Sequence, residues 1–167
     1  MGHHLHLLGA CCLPACLGLA SLATPQPLFL VNTSPSEPLG LYVRSTLPPA
    51  AGRLAAFHPP APGRAYAAAH LPEIGRGGIL KRLAAGPGSR VCAQGRVFLV
   101  NGRPLGTIQL HDHAGRALPR WEGCVTLGPG QFVAYSDRIP NSFDSRYYGP
   151  VGPAEIIGAY EPLWVRP

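Results

Sequence analysis

Lys81 is the one lysine among fourteen basic residues; the rest are arginine. What a lone lysine can do depends on where its amine is held. Ile79 and Leu83 flank it at alternate positions of an apolar stretch. Burial on that face would disfavour the charged form and lower the pKa. A lysine neutral near pH 7 can take a proton from a hydroxyl and so activate a nucleophile. The opposing reading is a strand lysine whose head reaches solvent. The hydroxyl to consider is Ser36, within Asn32-Thr33-Ser34-Pro35-Ser36-Glu37-Pro38-Leu39-Gly40-Leu41-Tyr42. Pro38 fixes its own φ and restricts Glu37, and Gly40 permits a turn that other residues resist. A rigid segment presenting a small hydroxyl suits a nucleophile and equally an ordinary turn. Ser36 and Lys81 stand 45 positions apart, so the pattern alone leaves them unconnected.

A rival chemistry rests on His111-Asp112-His113, which places imidazoles beside a carboxylate for a Ser/His/Asp arrangement or a metal. That stretch is polar, and alternation lets both histidines share an exposed face. Cys92 and Cys124 are the cysteines outside the apolar N-terminus. In an oxidising compartment they read as a disulfide closing a loop of about 30 residues, worth on the order of 3 kcal/mol. The alternative is two buried thiols. Neither cysteine has a further ligand at zinc spacing, and we expect no metal and no other cofactor. Cys11, Cys12 and Cys16 lie in apolar sequence and read as small hydrophobes.

The elements around these residues are short. Gly 21 and Pro 20 in 167 residues leave little room for long helices and favour strands joined by turns. The net charge of +6 comes from arginines scattered singly, so nucleic acid is not an expected partner. An anionic lipid surface suits the charge as well. No charged residue precedes Glu37, and Leu5 to Ala23 is mostly apolar, close to the ~20 residues that span a bilayer. An uncleaved anchor competes there with a signal peptide ending Ser21-Leu22-Ala23. Either way, residues 1–26 form an N-terminal segment and residues 27–167 an exported domain.

Within that domain we expect a strand at Leu41–Val43, a surface loop from Pro48 to Gly63 and a short helix at Tyr66–His70 stopped by Pro72. Ile79–Leu83 reads as a strand, with Ile79, Lys81 and Leu83 on one face and Leu80 and Arg82 on the other. Arg96–Thr107 is the clearest hairpin, with Asn101-Gly102 as a type I′ turn. Gly130–Tyr135, Ile156–Gly158 and Leu163–Val165 complete the strands. The spacing predicts a compact, barrel-like β domain.

Three stretches occur in a telling order: Ser36-Glu37-Pro38-Leu39-Gly40-Leu41-Tyr42, then Leu80-Lys81-Arg82-Leu83-Ala84-Ala85-Gly86-Pro87-Gly88-Ser89-Arg90-Val91, then Asn141-Ser142-Phe143-Asp144-Ser145-Arg146-Tyr147-Tyr148-Gly149-Pro150. They resemble the serine, lysine and C-terminal boxes of the signal peptidase I-like serine peptidases, and among these the TraF-type conjugative transfer peptidases. The resemblance runs from about Val31 to Trp164 and includes Gly115–Cys124. It implies a mainly β, LexA-like compact barrel or sheet domain with short helices. A membrane-spanning or signal segment would precede that domain.

The resemblance also implies a Ser/Lys dyad. Ser36 would be the nucleophile, and Lys81 the general base and then the general acid. The backbone N–H of Ser36, with the hydroxyl of Ser34, would stabilise the oxyanion. Asp144 would pair with Arg146 as a structural ion pair ahead of any proton transfer. Ser142 lies where related enzymes hydrogen-bond the lysine. Two positions depart from the family pattern. Glu37 stands where a hydrophobic residue is usual, a carboxylate able to raise the lysine pKa if close, and Gly86-Pro87-Gly88-Ser89 replaces Leu-Pro-Gly-Asp. The implied substrate is an exported precursor, the propilin of a conjugative type IV secretion system, with small residues at the cleavage site. Cleavage and cyclisation are both open, and a general signal peptidase is the alternative. A non-catalytic exported β module that binds pilin or assembly subunits is the alternative of another class. The implied location is the periplasm, attached to the inner membrane by the N-terminal segment or released if that segment is cut.

Overall fold

The computed structural model describes residues 26–75 and 77–166. The apolar N-terminus, with its anchor and signal readings and its three cysteines, lies outside these. Among the described residues no helix is long and apolar enough to cross a membrane.

Among the described residues ten strands and two α-helices follow one another as β1 (Phe29–Asn32), β2 (Leu39–Arg44), β3 (Leu54–Phe57), α1 (Ala61–His70), β4 (Ile79–Ala85), β5 (Arg90–Gln94), β6 (Val97–Val100), β7 (Arg103–Thr107), β8 (Gly123–Thr126), β9 (Val133–Tyr135), α2 (Ser145–Tyr148) and β10 (Ile156–Arg166), with a 3-10 turn at Pro72–Ile74 after α1. The fold is mainly β with short helices, and the strands lie in two sheets. The larger runs β1-β2-β10-β3-β4-β9 and the smaller β7-β6-β5-β8. All of these pairings are antiparallel.

The larger sheet is covered on both faces in its middle, because alternate residues of β3 and β4 feed two separate apolar clusters. Ala55, Phe57, Ile79 and Leu83 join the larger cluster, with Val91, Phe98, Val133 and Tyr147. Leu54, Ala56 and Leu80 join the smaller, with Tyr42 and Tyr160. The expected alternation of β4 is therefore present, and Lys81 lies on the face of the larger cluster. The Asn101-Gly102 hairpin is present too: both residues have positive φ, 51° and 77°, and Val100 pairs with Arg103 across the two-residue turn.

Two expectations fail. Pro48–Gly63 is not a loop throughout, since it contains the fully buried β3 and the first turn of α1. A strand buried on both faces reads as a continuous apolar run without alternation. Pro62 is an ordinary residue in the first turn of α1. Ile156–Gly158 and Leu163–Val165 are likewise one strand, β10. Its register shifts between Ile156 and Gly158 and again between Pro162 and Trp164, so bulges absorb the residues that looked like ends.

Candidate active site

Ser36 sits in the Ser34–Glu37 turn between β1 and β2, where Glu37 N–H donates to the Ser34 carbonyl at 3.4 Å. Asn32, the last residue of β1, organises the turn. Its Nδ2 donates to the carbonyls of Ser34, Glu37 and Pro38 at 2.9, 3.0 and 3.0 Å. Its Oδ1 accepts from Ser34 N–H at 3.1 Å. The glycine and tyrosine of the stretch have structural reasons. Tyr42 donates its hydroxyl hydrogen to the Pro38 carbonyl at 2.6 Å. Gly40 has φ +145°, and a Cβ there would lie 2.2 Å from the Trp164 carbonyl oxygen of β10.

Lys81 enters from β4 and its Nζ is hydrogen-bonded to Ser36 Oγ. The Leu80 carbonyl accepts a second bond from Nζ at 3.3 Å. Both partners are out of solvent, with Ser36 1% and Lys81 3% exposed. Burial drives the lysine pKa down from 10.5 to about 8; the charges of Asp144 and Glu37 oppose this and that of Arg146 assists it. An amine so held is partly neutral near neutral pH, and its lone pair can take the serine proton. Ser34 Oγ lies 2.9 Å from Ser36 Oγ, and Ser36 N–H points to Ser34 Oγ at 3.5 Å. The two donors named from sequence for an oxyanion are thus side by side.

Asp144 is fully buried and forms a two-pronged pair with Arg146, Nε to Oδ1 and Nη2 to Oδ2, both at 2.9 Å. Arg146 spends its other donors on the carbonyls of Thr107, Pro140 and Ser142. Asp144 caps α2 by accepting from Arg146 N–H at 3.2 Å. The pair anchors α2, and its hydrogen-bonded link toward Ser36 runs through Ser136. Ser136 N–H donates to Asp144 Oδ2 at 3.3 Å, and Ser136 Oγ donates to the carbonyl of Ser36. Sequence reasoning missed Ser136 and the role of Asn32, since a serine after a strand and an asparagine before a turn carry no distinctive signal. The Ser142 hydroxyl lies in the same cleft as Lys81, is buried, and has no hydrogen-bond partner. The expected bond to the lysine is not made.

The dyad opens into a cleft of about 1170 Å³, whose walls include Ser34, Ile79, Tyr66, Asp112 and Phe143. Asp112 is engaged on the far wall, accepting from Tyr66 OH and from Arg116 Nε, both at 2.6 Å. These contacts hold its carboxyl well below the usual range. His111 is in a bridge with Ala117, and His113 Nδ1 lies 3.4 Å from Asn141 Nδ2. Among the described residues no histidine is hydrogen-bonded to Ser36, whose hydroxyl meets Lys81 Nζ and Ser34 Oγ instead. Cys92 and Cys124 are joined in a disulfide across β5 and β8 of the smaller sheet, apart from the cleft.

The chain is similar to several known proteins. A family model described as signal peptidase, peptidase S26, matches residues 6–164. A plasmid transfer protein TraF of Escherichia coli is 35% identical over 103 residues, 60% of this chain and 58% of that protein. A conjugal transfer protein TraF of Agrobacterium fabrum is 31% identical over 88 residues, 52% of this chain and 48% of that protein. The match thus spans only about half the length of these curated relatives. A crystal structure of a signal peptidase I from Enterococcus faecalis aligns with a TM-score of 0.37 at 22% identity, covering 69% of this chain and 98% of that one. With the family match running nearly the whole length of the chain, the protein belongs to the signal peptidase family, peptidase S26.

Proposed function

We propose that the protein is a serine endopeptidase with a Ser36/Lys81 dyad that processes exported precursors. The observation that carries the reading is the buried lysine amine hydrogen-bonded to the hydroxyl of a serine in a clamped turn. Neutral Lys81 takes the Ser36 proton as Oγ attacks the scissile carbonyl carbon. The tetrahedral oxygen carries the negative charge, which the Ser34 hydroxyl and the Ser36 N–H would stabilise once substrate draws them from each other. The C–N bond then breaks, and Lys81 returns its proton to the leaving amine. The acyl ester on Ser36 is released by water, or by an amine of the substrate itself, which closes a ring.

The conjugal and plasmid transfer names of the relatives favour a propilin of a conjugative type IV secretion apparatus over a general secretory precursor as substrate. Small residues at the cleavage site belong to this reading, as does a periplasmic domain held at the inner membrane by the N-terminal segment. The test is co-expression of the full chain with the propilin, scored by precursor mass. Ser36→Ala and Lys81→Ala should each lower processing at least about a thousandfold while the protein still folds. His111→Ala/His113→Ala should process normally. An inactive histidine variant together with an active Lys81→Ala would overturn the dyad.

A further inference from the structure

Glu37 follows the nucleophile, and the structure buries it. Its Oε1 accepts a hydrogen bond from the backbone N–H of Arg82 at 3.0 Å. Arg82 follows Lys81. The turn and β4 are therefore joined by two successive rungs, Ser36 to Lys81 through an amine and Glu37 to Arg82 through a carboxylate. We infer that Glu37 is a positioning residue whose carboxylate fixes the nucleophile turn against the strand carrying the base, and whose charge sustains the ammonium form of Lys81 so that the base acts only at higher pH. This rests on the Ser/Lys reading and adds a regulation to it.

The surroundings leave that charge free to act on the lysine. Among the described residues Glu37 belongs to no ion pair within 4.0 Å. The Arg82 guanidinium is turned to the Gly52 carbonyl at 2.6 Å, and Arg138 Nε to the Pro35 carbonyl at 3.4 Å. The charged and titratable groups around Glu37 are Lys81 and Arg82 of β4, Arg138 beyond β9, and Tyr42 of β2. Those around Lys81 are Asp144, whose charge favours the ammonium form most, Glu37 of the turn, which favours it too, and Arg146, which opposes it. Burial raises the Glu37 carboxyl above the ordinary glutamate value, and Lys81, Arg82 and Arg138 counter it. An ionised carboxylate favours the protonated amine, so removing its charge makes Lys81 a free base at lower pH.

Two variants separate the two roles. Glu37→Gln keeps an acceptor for the Arg82 N–H and loses the charge. Glu37→Asp keeps the charge and loses reach. The full chain in detergent is assayed with an internally quenched peptide carrying small residues at its scissile bond. In Glu37→Gln the acid limb of kcat/KM should move down by about one pH unit, the lower end of what an opposite charge exerts at close range. Glu37→Asp should keep the limb and lower the Tm. Because Lys81 is the one lysine, ¹³C-lysine labelling gives a single NMR signal whose titration should move with the limb. An unmoved limb and an unmoved lysine signal in Glu37→Gln would overturn the inference. Activity surviving in Lys81→Ala would instead overturn the dyad, while the lysine signal would still decide whether Glu37 is coupled to it.

Discussion

Replacing Lys81 with Met should make the protein dead and, at neutral pH, more stable. Met fills most of the lysine volume and removes the amine. The free amine titrates at 10.5 and the buried one at about 8, so at pH 7 both folded and unfolded chains carry the proton and the folded chain holds it at a disadvantage. Linkage sets that disadvantage at about 3 kcal/mol at pH 7 and about 1 kcal/mol at pH 10. The sign follows from proton counts. Between pH 8 and 10.5 the unfolded chain binds the proton and the folded chain does not, so stability from this group rises with pH and is lost as pH falls toward 8.

Relative to Lys81→Met, the wild type should therefore gain about 2 kcal/mol from pH 7 to pH 10. Tyrosines held above their usual pKa, Tyr66 at about 12 among them, erode stability in alkali in both proteins and cancel in the difference. Urea unfolding at pH 7, 8.5 and 10, followed by tryptophan fluorescence with the disulfide intact, measures it. A difference between the two proteins that stays constant with pH, within about 0.5 kcal/mol, would refute the claim that this amine is desolvated.

Asp144→Ala should cost about 3–5 kcal/mol in urea unfolding, because it leaves the Arg146 guanidinium buried without its carboxylate and takes away the acceptor of the Ser136 N–H. Gly40→Ala should cost about 2 kcal/mol or more, seen as a lowered urea midpoint, since its Cβ would press on the Trp164 carbonyl from a positive-φ position.

The β4 alternation, the Asn-Gly hairpin and the cysteine pair were readable because each depends on neighbours in sequence or on simple counting. Ser36 and Lys81 could be named, but not joined, without the resemblance, because 45 residues and a sheet separate them. β3 was hidden because a strand covered on both faces loses its alternation. Ser136 was hidden because its value lies in one carbonyl 100 positions away, which no local pattern encodes. Ser142 shows the limit from the other side: its place in the family pattern suggested a bond that the buried hydroxyl does not make.

In the larger sheet β10 lies between β2 and β3 although it comes after all the other strands in the sequence. It is paired with both β2, which follows the Ser36 turn, and β3, the neighbour of the Lys81 strand. Ser36 and Lys81 are therefore made long before the strand that turns their two parts of the sheet into one. A chain clipped ahead of Ile156 would have to hold the two together through turn and side-chain bonds alone.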